Sequence, residues 1–236
     1  MTKDVIIACD FSSAGETLQF LNRFGEEKPF VKIGMELYYA EGPEIVRALK
    51  ARGHRVFLDL KLHDIPNTVK KAMRVLAGLG ADIVNLHAAG TRAMMSAALE
   101  GLEEGAAEHS SERPLLIAVT QLTSTDQTAM EQELGIAGKL EDVVISYAKN
   151  AAQAGLDGVV CSPLEAENVH KACGDGFLTV TPGVRFAGGE TGDQKRVTTP
   201  ARARELGSDY IVMGRPITGA ADPLAAWQRA RKEFCL

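Results

Sequence analysis

The chain has little that would staple, anchor or thread it. Four of its 236 residues are cysteine, and Cys9, Cys161, Cys173 and Cys235 lie far apart without a Cys-x-x-Cys spacing. They read as reduced thiols in the core or at the surface, not as a disulfide framework. No apolar run approaches the roughly 18 residues of a membrane span. Met1-Thr2-Lys3-Asp4 leads straight into a short strand, without the charged-then-apolar pattern of a signal peptide. A cytoplasmic protein with no membrane partner is therefore expected. The formal net charge is only -5, with acidic and basic residues interspersed, so no basic face is offered to nucleic acid. Neither a Walker A loop nor a G-x-G-x-x-G fingerprint occurs, which removes the usual equipment for ATP hydrolysis and hydride transfer.

What is present is one repeating rhythm: a short β-branched run, a polar loop, then an amphipathic helical stretch closed by glycine. Strands are expected at 5–10, 30–35, 55–62, 81–88, 114–122, 156–162, 177–183 and 208–214. Helical patterns lie between them at 15–24, 43–52, 68–79, 92–108, 140–154, 164–173 and 199–206, with a last one at 223–234. Gly53, Gly80, Gly155 and Gly207 read as helix stops. Strict alternation requires a parallel sheet, and eight such units fit a single-domain α/β fold, a closed (β/α)8 barrel of the TIM type. With 45% hydrophobic residues and 24% charged, a chain of this length buries roughly 70% or more of its unfolded surface and needs no disulfide or metal staple.

The segment Phe57-Leu58-Asp59-Leu60-Lys61-Leu62-His63-Asp64-Ile65-Pro66-Asn67-Thr68 sets charges into an apolar strand at every second position. Strand alternation puts Leu58, Leu60 and Leu62 on one face and Phe57, Asp59, Lys61 and His63 on the other. Burying an isolated carboxylate or ammonium costs several kcal/mol, so two such groups persist only if they neutralise each other or act on something. A structural ion pair is the plain alternative. Against it stands the position: Asp64 follows at once, and Pro66 ends the strand as a helix begins, where barrel active sites gather.

Other strand ends add to the array. Asp10 shares a face with Ile6 and Ala8 at the end of the first strand, and Lys32 lies on the second. The fifth strand runs into Thr120-Gln121-Leu122-Thr123-Ser124, where Thr123 and Ser124 are either binding groups or helix caps. The seventh runs into Thr181-Pro182-Gly183-Val184-Arg185, and the eighth into Gly214-Arg215-Pro216. A glycine-rich polar loop at about 185–195 is long for a connection and reads as a lid. Together with Gly214 and Arg215 it suggests a phosphate grip, in the place where barrels commonly form one. The histidines His54, His63, His87, His109 and His170 form no metal-binding pair. Asp10, Asp59 and Asp64 could hold Mg²⁺, but Lys32 and Lys61 bring positive charge into the same space. No metal ligand is assigned.

These motifs resemble orotidine 5′-phosphate decarboxylase in its compact bacterial form, over nearly the whole chain. The specific core is Asp-x-Lys-x-x-Asp, present as Asp59, Lys61 and Asp64 and followed by Ile65-Pro66-Asn67-Thr68. Supporting matches are Ala8-Cys9-Asp10, Val31-Lys32-Ile33-Gly34, Gln121-Leu122-Thr123-Ser124, Thr181-Pro182-Gly183-Val184-Arg185, Gln194 and Val212-Met213-Gly214-Arg215. The resemblance implies a homodimeric (β/α)8 barrel that converts orotidine 5′-monophosphate to uridine 5′-monophosphate and CO₂ without metal or organic cofactor. It implies catalytic roles for Lys61, Asp59, Lys32 and Asp64, with Asp64, Ile65 and Thr68 reaching the neighbouring subunit's site. It further implies that Asp10 and Lys32 hold the ribose, that Thr123 and Ser124 meet the base beside Pro182, and that Arg185, Gln194, Gly214 and Arg215 hold the phosphate. Two alternatives stay open. One is a Mg²⁺-dependent sugar-phosphate decarboxylase or aldolase on the same barrel, and the other a non-catalytic binder of nucleotide monophosphates.

Overall fold

The computed structural model describes residues 3–188 and 197–236. Eight parallel strands close into a barrel: β1 (Asp4–Ala8), β2 (Phe30–Gly34), β3 (Val56–Leu62), β4 (Ile83–His87), β5 (Leu115–Val119), β6 (Gly158–Val160), β7 (Leu178–Thr181) and β8 (Tyr210–Met213), with β8 pairing back onto β1. The helices that return the chain are α1 (Ala14–Asn22), α2 (Met35–Glu41), α3 (Glu44–Ala51), α4 (Pro66–Ala77), α5 (Thr91–His109) and α6 (Gln127–Gln132). They continue with α7 (Leu140–Gln153), α8 (Ala166–Cys173), α9 (Pro200–Glu205), α10 (Arg215–Thr218) and α11 (Pro223–Cys235). Among the described residues no helix is long and apolar enough to cross a membrane.

The strands are rich in Val, Ile and Leu because both of their faces are covered. Ile6, Phe30, Phe57, Ile83, Ile117 and Val180 fill the barrel interior. The alternate residues, such as Ile7, Val31, Leu58 and Val84, pack outward against the helices in a second, larger core. The glycines expected to stop helices do so: Gly53, Gly80, Gly155 and Gly207 have φ of 84°, 75°, 84° and 90°, a region costly for residues with a Cβ. The expected strand ends run too far. Met35 opens α2 instead of ending β2, and β5 stops at Val119, which leaves Gln121 to Ser124 in the following loop. The short helices α2, α6 and α10 lie where the sequence pattern had offered no helix.

Three of the helix-stop glycines begin a Gly-x-Asp triplet that closes the far end of the barrel. Asp82, Asp157 and Asp209 accept the backbone N–H groups of Val56, Leu116 and Thr179 at 2.7, 2.7 and 2.8 Å. Each also faces a basic partner: Lys50 at 2.6 Å, Arg113 at 2.7 Å and His170 at 3.0 Å. One carboxylate thus ties the start of an odd-numbered strand to a side chain from elsewhere in the chain. The opposite end, where the strands finish, is left open for chemistry.

Helix α4 begins directly after Asp64 and packs tightly on α5. A Cβ at Gly101 would lie 2.1 Å from the Lys70 carbonyl oxygen, and one at Gly105 2.3 Å from that of Arg74. These glycines let the two backbones approach and so set where the loop before α4 is held.

The hydrogen bond to Asp209 raises the pKa of His170, although burial opposes it. Because the folded value exceeds the unfolded one, the stabilisation is complete below the unfolded pKa of about 6.5 and is lost as pH rises through the folded value. Stability in urea is therefore expected to decline from near neutrality into the alkaline range, and His170→Asn should flatten that decline. An unchanged slope in the variant would show that the contact contributes nothing.

Candidate active site

The inward positions near the strand ends carry charge. Lys32 Nζ donates to Asp10 Oδ1 at 2.9 Å and lies 3.3 Å from Asp59 Oδ2. Lys61 Nζ donates to Asp59 Oδ1 at 2.6 Å. Four charges of alternating sign, Asp10, Lys32, Asp59 and Lys61, thus form one connected row from the loop after β1 across β2 and β3. Gly34 leaves room for it, since a Cβ there would stand 3.2 Å from Asp10 Oδ1 and 3.3 Å from Lys32 Nζ.

Burial and charge pull against each other along this row. Asp59 is only 7% exposed and Lys32 9%. Burial pushes the Asp59 carboxyl up, but Lys32 and Lys61, with hydrogen bonds from Lys61 and Asn85, outweigh it and hold the pKa below the usual carboxylate range. For Lys32, burial pulls down while Asp59 and Asp10 pull up more strongly, so its pKa is raised. Both groups stay charged in a place that would neutralise either alone. Cys9 lies beside them on the outward face, and burial pushes its thiol up to about 12 despite Lys32, so it is no nucleophile.

The register of β3 on β4 is regular as far as Leu58 and then shifts, while Leu58, Leu60 and Leu62 keep to the outer core. The ladder pairs Leu58 with Val84 and Leu62 with Leu86, so four steps on β3 match two on β4. Within this bulge Lys61 takes φ 52°, the left-handed region that non-glycine residues seldom occupy. The expectation that Asp59 and Lys61 share a face therefore holds, but the backbone between them is a bulge and not the regular pleat. His63 is exposed beyond the strand, its ring 5.7 Å from that of His87. Burial, then His63 and Lys61, lower the pKa of His87.

A cavity of about 210 Å³ opens beside the row. Lys32, Asp59, Lys61, Thr123, Ser124 and Pro182 line it, together with Gln121 and the apolar Phe57, Leu122, Val160 and Val212. The structure therefore gathers six of the fourteen expected site residues around one cavity, with Asp10 joined through Lys32. Arg185, Gly214 and Arg215 follow β7 and β8 at the same end of the barrel. Asp64, Ile65 and Thr68 are exposed on the loop after β3 and the first turn of α4. The Ile65 N–H donates to Asp64 Oδ1 at 2.6 Å. Gln194 and most of the expected lid at 185–195 lie outside the described residues. Sequence reasoning missed Asn85, whose signal was a lone amide among the apolar residues of β4 at the parity of the barrel interior.

Charged groups held at the open mouth of a closed parallel barrel define an enzyme of the (β/α)8 class. The family model for orotidine 5′-phosphate decarboxylase / HUMPS matches residues 3–230. An orotidine 5′-phosphate decarboxylase of Bacillus cytotoxicus is 58% identical over 234 residues, covering 99% of this chain and 98% of that protein. One of Bacillus cereus is 56% identical over the same length and shares. Among solved structures, orotidine 5′-phosphate decarboxylase from Lactobacillus acidophilus superposes with a TM-score of 0.89 at 41% identity, covering 99% of this chain and all of that one. An uncharacterised conserved protein from Geobacillus kaustophilus superposes at 0.87 with 53% identity, covering 98% and 99%. The chain belongs to the orotidine 5′-phosphate decarboxylase / HUMPS family and is an enzyme of the carbon–carbon lyase class.

Lys32→Met should expose the dependence of Asp59 on its neighbours. Removing one partner of a buried ion pair costs about 3–5 kcal/mol. Lys61 and Asn85 remain on Asp59, so a loss of about 2–3 kcal/mol is expected in urea unfolding. Adding Asp59→Asn should restore part of it; a double variant no more stable than the single one would show that the two groups are not coupled.

Proposed function

We propose that the chain decarboxylates orotidine 5′-monophosphate to uridine 5′-monophosphate and CO₂, a step of pyrimidine synthesis, with Lys61 as proton donor and without metal or organic cofactor. The observation that carries this reading is the connected row of Asp10, Lys32, Asp59 and Lys61 beside the cavity. Breaking the bond from C6 to the carboxylate leaves an electron pair in the plane of the pyrimidine ring, where the π system cannot accept it. The Lys61 ammonium stabilises that pair as it forms and then delivers a proton to C6; water returns the proton to Nζ. Asp59 stands against the substrate carboxylate, and their repulsion vanishes as neutral CO₂ departs.

Magnitudes separate the two effects. Like charges 4 Å apart repel by about 4 kcal/mol at an effective dielectric of about 20. Enzymes at the upper end of acceleration lower barriers by roughly 23 kcal/mol. Repulsion is thus the smaller contribution, and stabilisation of the carbanion by fixed charges the larger.

Binding follows the same geometry. The cavity is smaller than the roughly 300–1,000 Å³ common for ligand pockets, so it suits the base and sugar while the phosphate extends toward Arg185, Gly214 and Arg215. Gln194 and the lid would complete that grip. Thr123 and Ser124, beside Pro182, meet the base, and Asp10 with Lys32 meets the ribose hydroxyls. A Mg²⁺-dependent reading is disfavoured because the Lys32 ammonium already sits between the Asp10 and Asp59 carboxylates. All members of the array in this chain are intact, against a binding-only protein.

A homodimer belongs to this proposal. Asp64, Ile65 and Thr68 face solvent at the mouth end, and Ile65 is 66% exposed there, with Tyr39 of α2 at 72%. Such exposed apolar groups suit a second copy of the chain, whose cavity would receive Asp64 beside Lys61, extending the alternating array Lys32-Asp59-Lys61. Cytoplasmic location fits the four free cysteines.

The first test follows ultraviolet absorbance on mixing with orotidine 5′-monophosphate, with and without excess EDTA. Chelator-insensitive loss of substrate is expected. Turnover only with Mg²⁺ and a sugar phosphate, or nucleotide binding without CO₂ release, would replace the reading. Lys61→Ala should abolish turnover and keep uridine 5′-monophosphate binding largely intact; substantial turnover would remove Lys61 as the proton donor. Arg215→Ala should weaken affinity and rate together.

A second test mixes Lys61→Ala with Asp64→Ala protein, each inactive alone. If sites are shared across a two-fold interface, random exchange leaves about a quarter of sites with both native groups. No recovered activity after subunit exchange would place Asp64 in its own chain's chemistry or outside it.

A further inference from the structure

Asn85 is fully buried on β4, at the inward parity of Ile83 and outside the set of side chains that line the cavity. Both ends of its amide are committed. Nδ2 donates to Asp59 Oδ1 at 2.7 Å, and Oδ1 accepts the Lys61 N–H at 2.8 Å. The partners settle which way the amide points, since an ionised carboxylate only accepts and a backbone N–H only donates.

The second of these bonds answers a need created by the bulge. Between Leu58 and Leu62 the regular register of β3 on β4 is interrupted, and Lys61 sits there with φ 52°. A buried N–H left without an acceptor is strongly disfavoured, and a left-handed residue with a side chain persists only when its surroundings hold it. The Asn85 carbonyl oxygen takes the place of the missing strand partner. Its NH₂ group meanwhile shares Asp59 Oδ1 with the Lys61 ammonium. One side chain therefore fixes the backbone that carries the cation and the rotation of the carboxylate beside it.

We propose that Asn85 is a positioning residue for decarboxylation, clamping the Lys61 bulge and the Asp59 carboxylate in the relative geometry the reaction needs. This rests on the function proposed above. Asn85 lies outside the cavity lining and acts through Lys61 and Asp59, so its removal should affect the rate of the chemical step more than nucleotide affinity.

The experiment measures kcat, KM, uridine 5′-monophosphate affinity and melting temperature for the wild type and for Asn85→Ala, Asn85→Ser and Asn85→Asp. Misplacing a reacting group by an ångström reduces rate on the order of 100-fold. A kcat loss of that order is expected for Asn85→Ala and Asn85→Ser, with product affinity held to within roughly threefold. Asn85→Asp adds a readout that a merely structural role would not move. A protonated carboxyl at this position can donate to Asp59 and accept from Lys61, restoring both bonds. An ionised one faces Asp59 as a like charge, with Lys61 and Lys32 as the nearby cations. The ratio of its kcat to that of the wild type should therefore rise as pH falls.

A folded Asn85→Ala or Asn85→Ser protein with kcat within roughly threefold of the wild type would overturn the proposal. So would parallel losses of kcat and product affinity, or an Asn85→Asp ratio independent of pH. Should the alanine protein fail to fold, the serine and aspartate variants decide by the same readouts. Wild-type protein that does not turn over orotidine 5′-monophosphate would instead defeat the functional reading, which keeps the two failures apart.

Discussion

A carboxylate buried at the mouth of the barrel governs the arrangement around it. Asp59 is held ionised by Lys32 on one oxygen and by Lys61 and Asn85 on the other. Together these partners keep it charged, because a lone buried carboxylate takes up a proton and ceases to be a charge. Lys32 in turn needs Asp10, which is largely exposed and joins the buried row to solvent. The row of two carboxylates and two ammoniums is neutral as it stands. In the proposed reaction the substrate brings a negative charge beside Asp59, and bond breaking moves that charge to C6 beside Lys61. The protein does not have to reorganise while this happens, which is the physical sense of preorganisation.

The two ends of the barrel use carboxylates differently. At the strand starts, Asp82, Asp157 and Asp209 each accept a backbone N–H and meet a single basic group. Their demands are met locally, and they hold register between strands. At the strand ends the charges are satisfied mainly by each other, in a connected row that borders a cavity. The first pattern stabilises and the second stores electrostatic potential, in keeping with the division of a (β/α)8 barrel into a stabilising and a reacting face.

Much of this was legible in the sequence because period-two alternation is a strong signal. Parity alone assigns Asp10, Lys32 and Asp59 to the inside of the barrel, and helix-stop glycines mark where four of the returns to the sheet begin. What parity cannot express is a shift of register that leaves parity intact. Nothing in the pattern Leu60-Lys61-Leu62 announces a left-handed residue or a register shift, since the bulge is held by Asn85, distant in the chain. Strand ends were overrun for a related reason: Thr120 still donates to the Val160 carbonyl oxygen, but the ladder with β6 pairs no residue beyond Val119. Asp64 stands out by its place just after the charged strand, but its reach into a partner's cavity, and Ile65 and Thr68 altogether, come from family resemblance, because a residue proposed to work in a partner's cavity leaves no signature in its own chain's periodicity.

The bulge at Lys61 also explains why so long a side chain can serve as a fixed charge. Lysine carries substantial rotamer entropy and a strongly hydrated ammonium, and in a regular strand its reach would leave Nζ free to follow water. Here the backbone is turned by the bulge and tied through Asn85, while Nζ is tied through Asp59. Fixing both ends of the side chain removes the freedom that would otherwise be lost during reaction. The disfavoured φ at Lys61 is a modest local penalty, of order 1–3 kcal/mol, against a much larger barrier. A strained backbone at this position is therefore what the proposed chemistry calls for, and the apolar strand around it supplies the rigidity that keeps the strain in place.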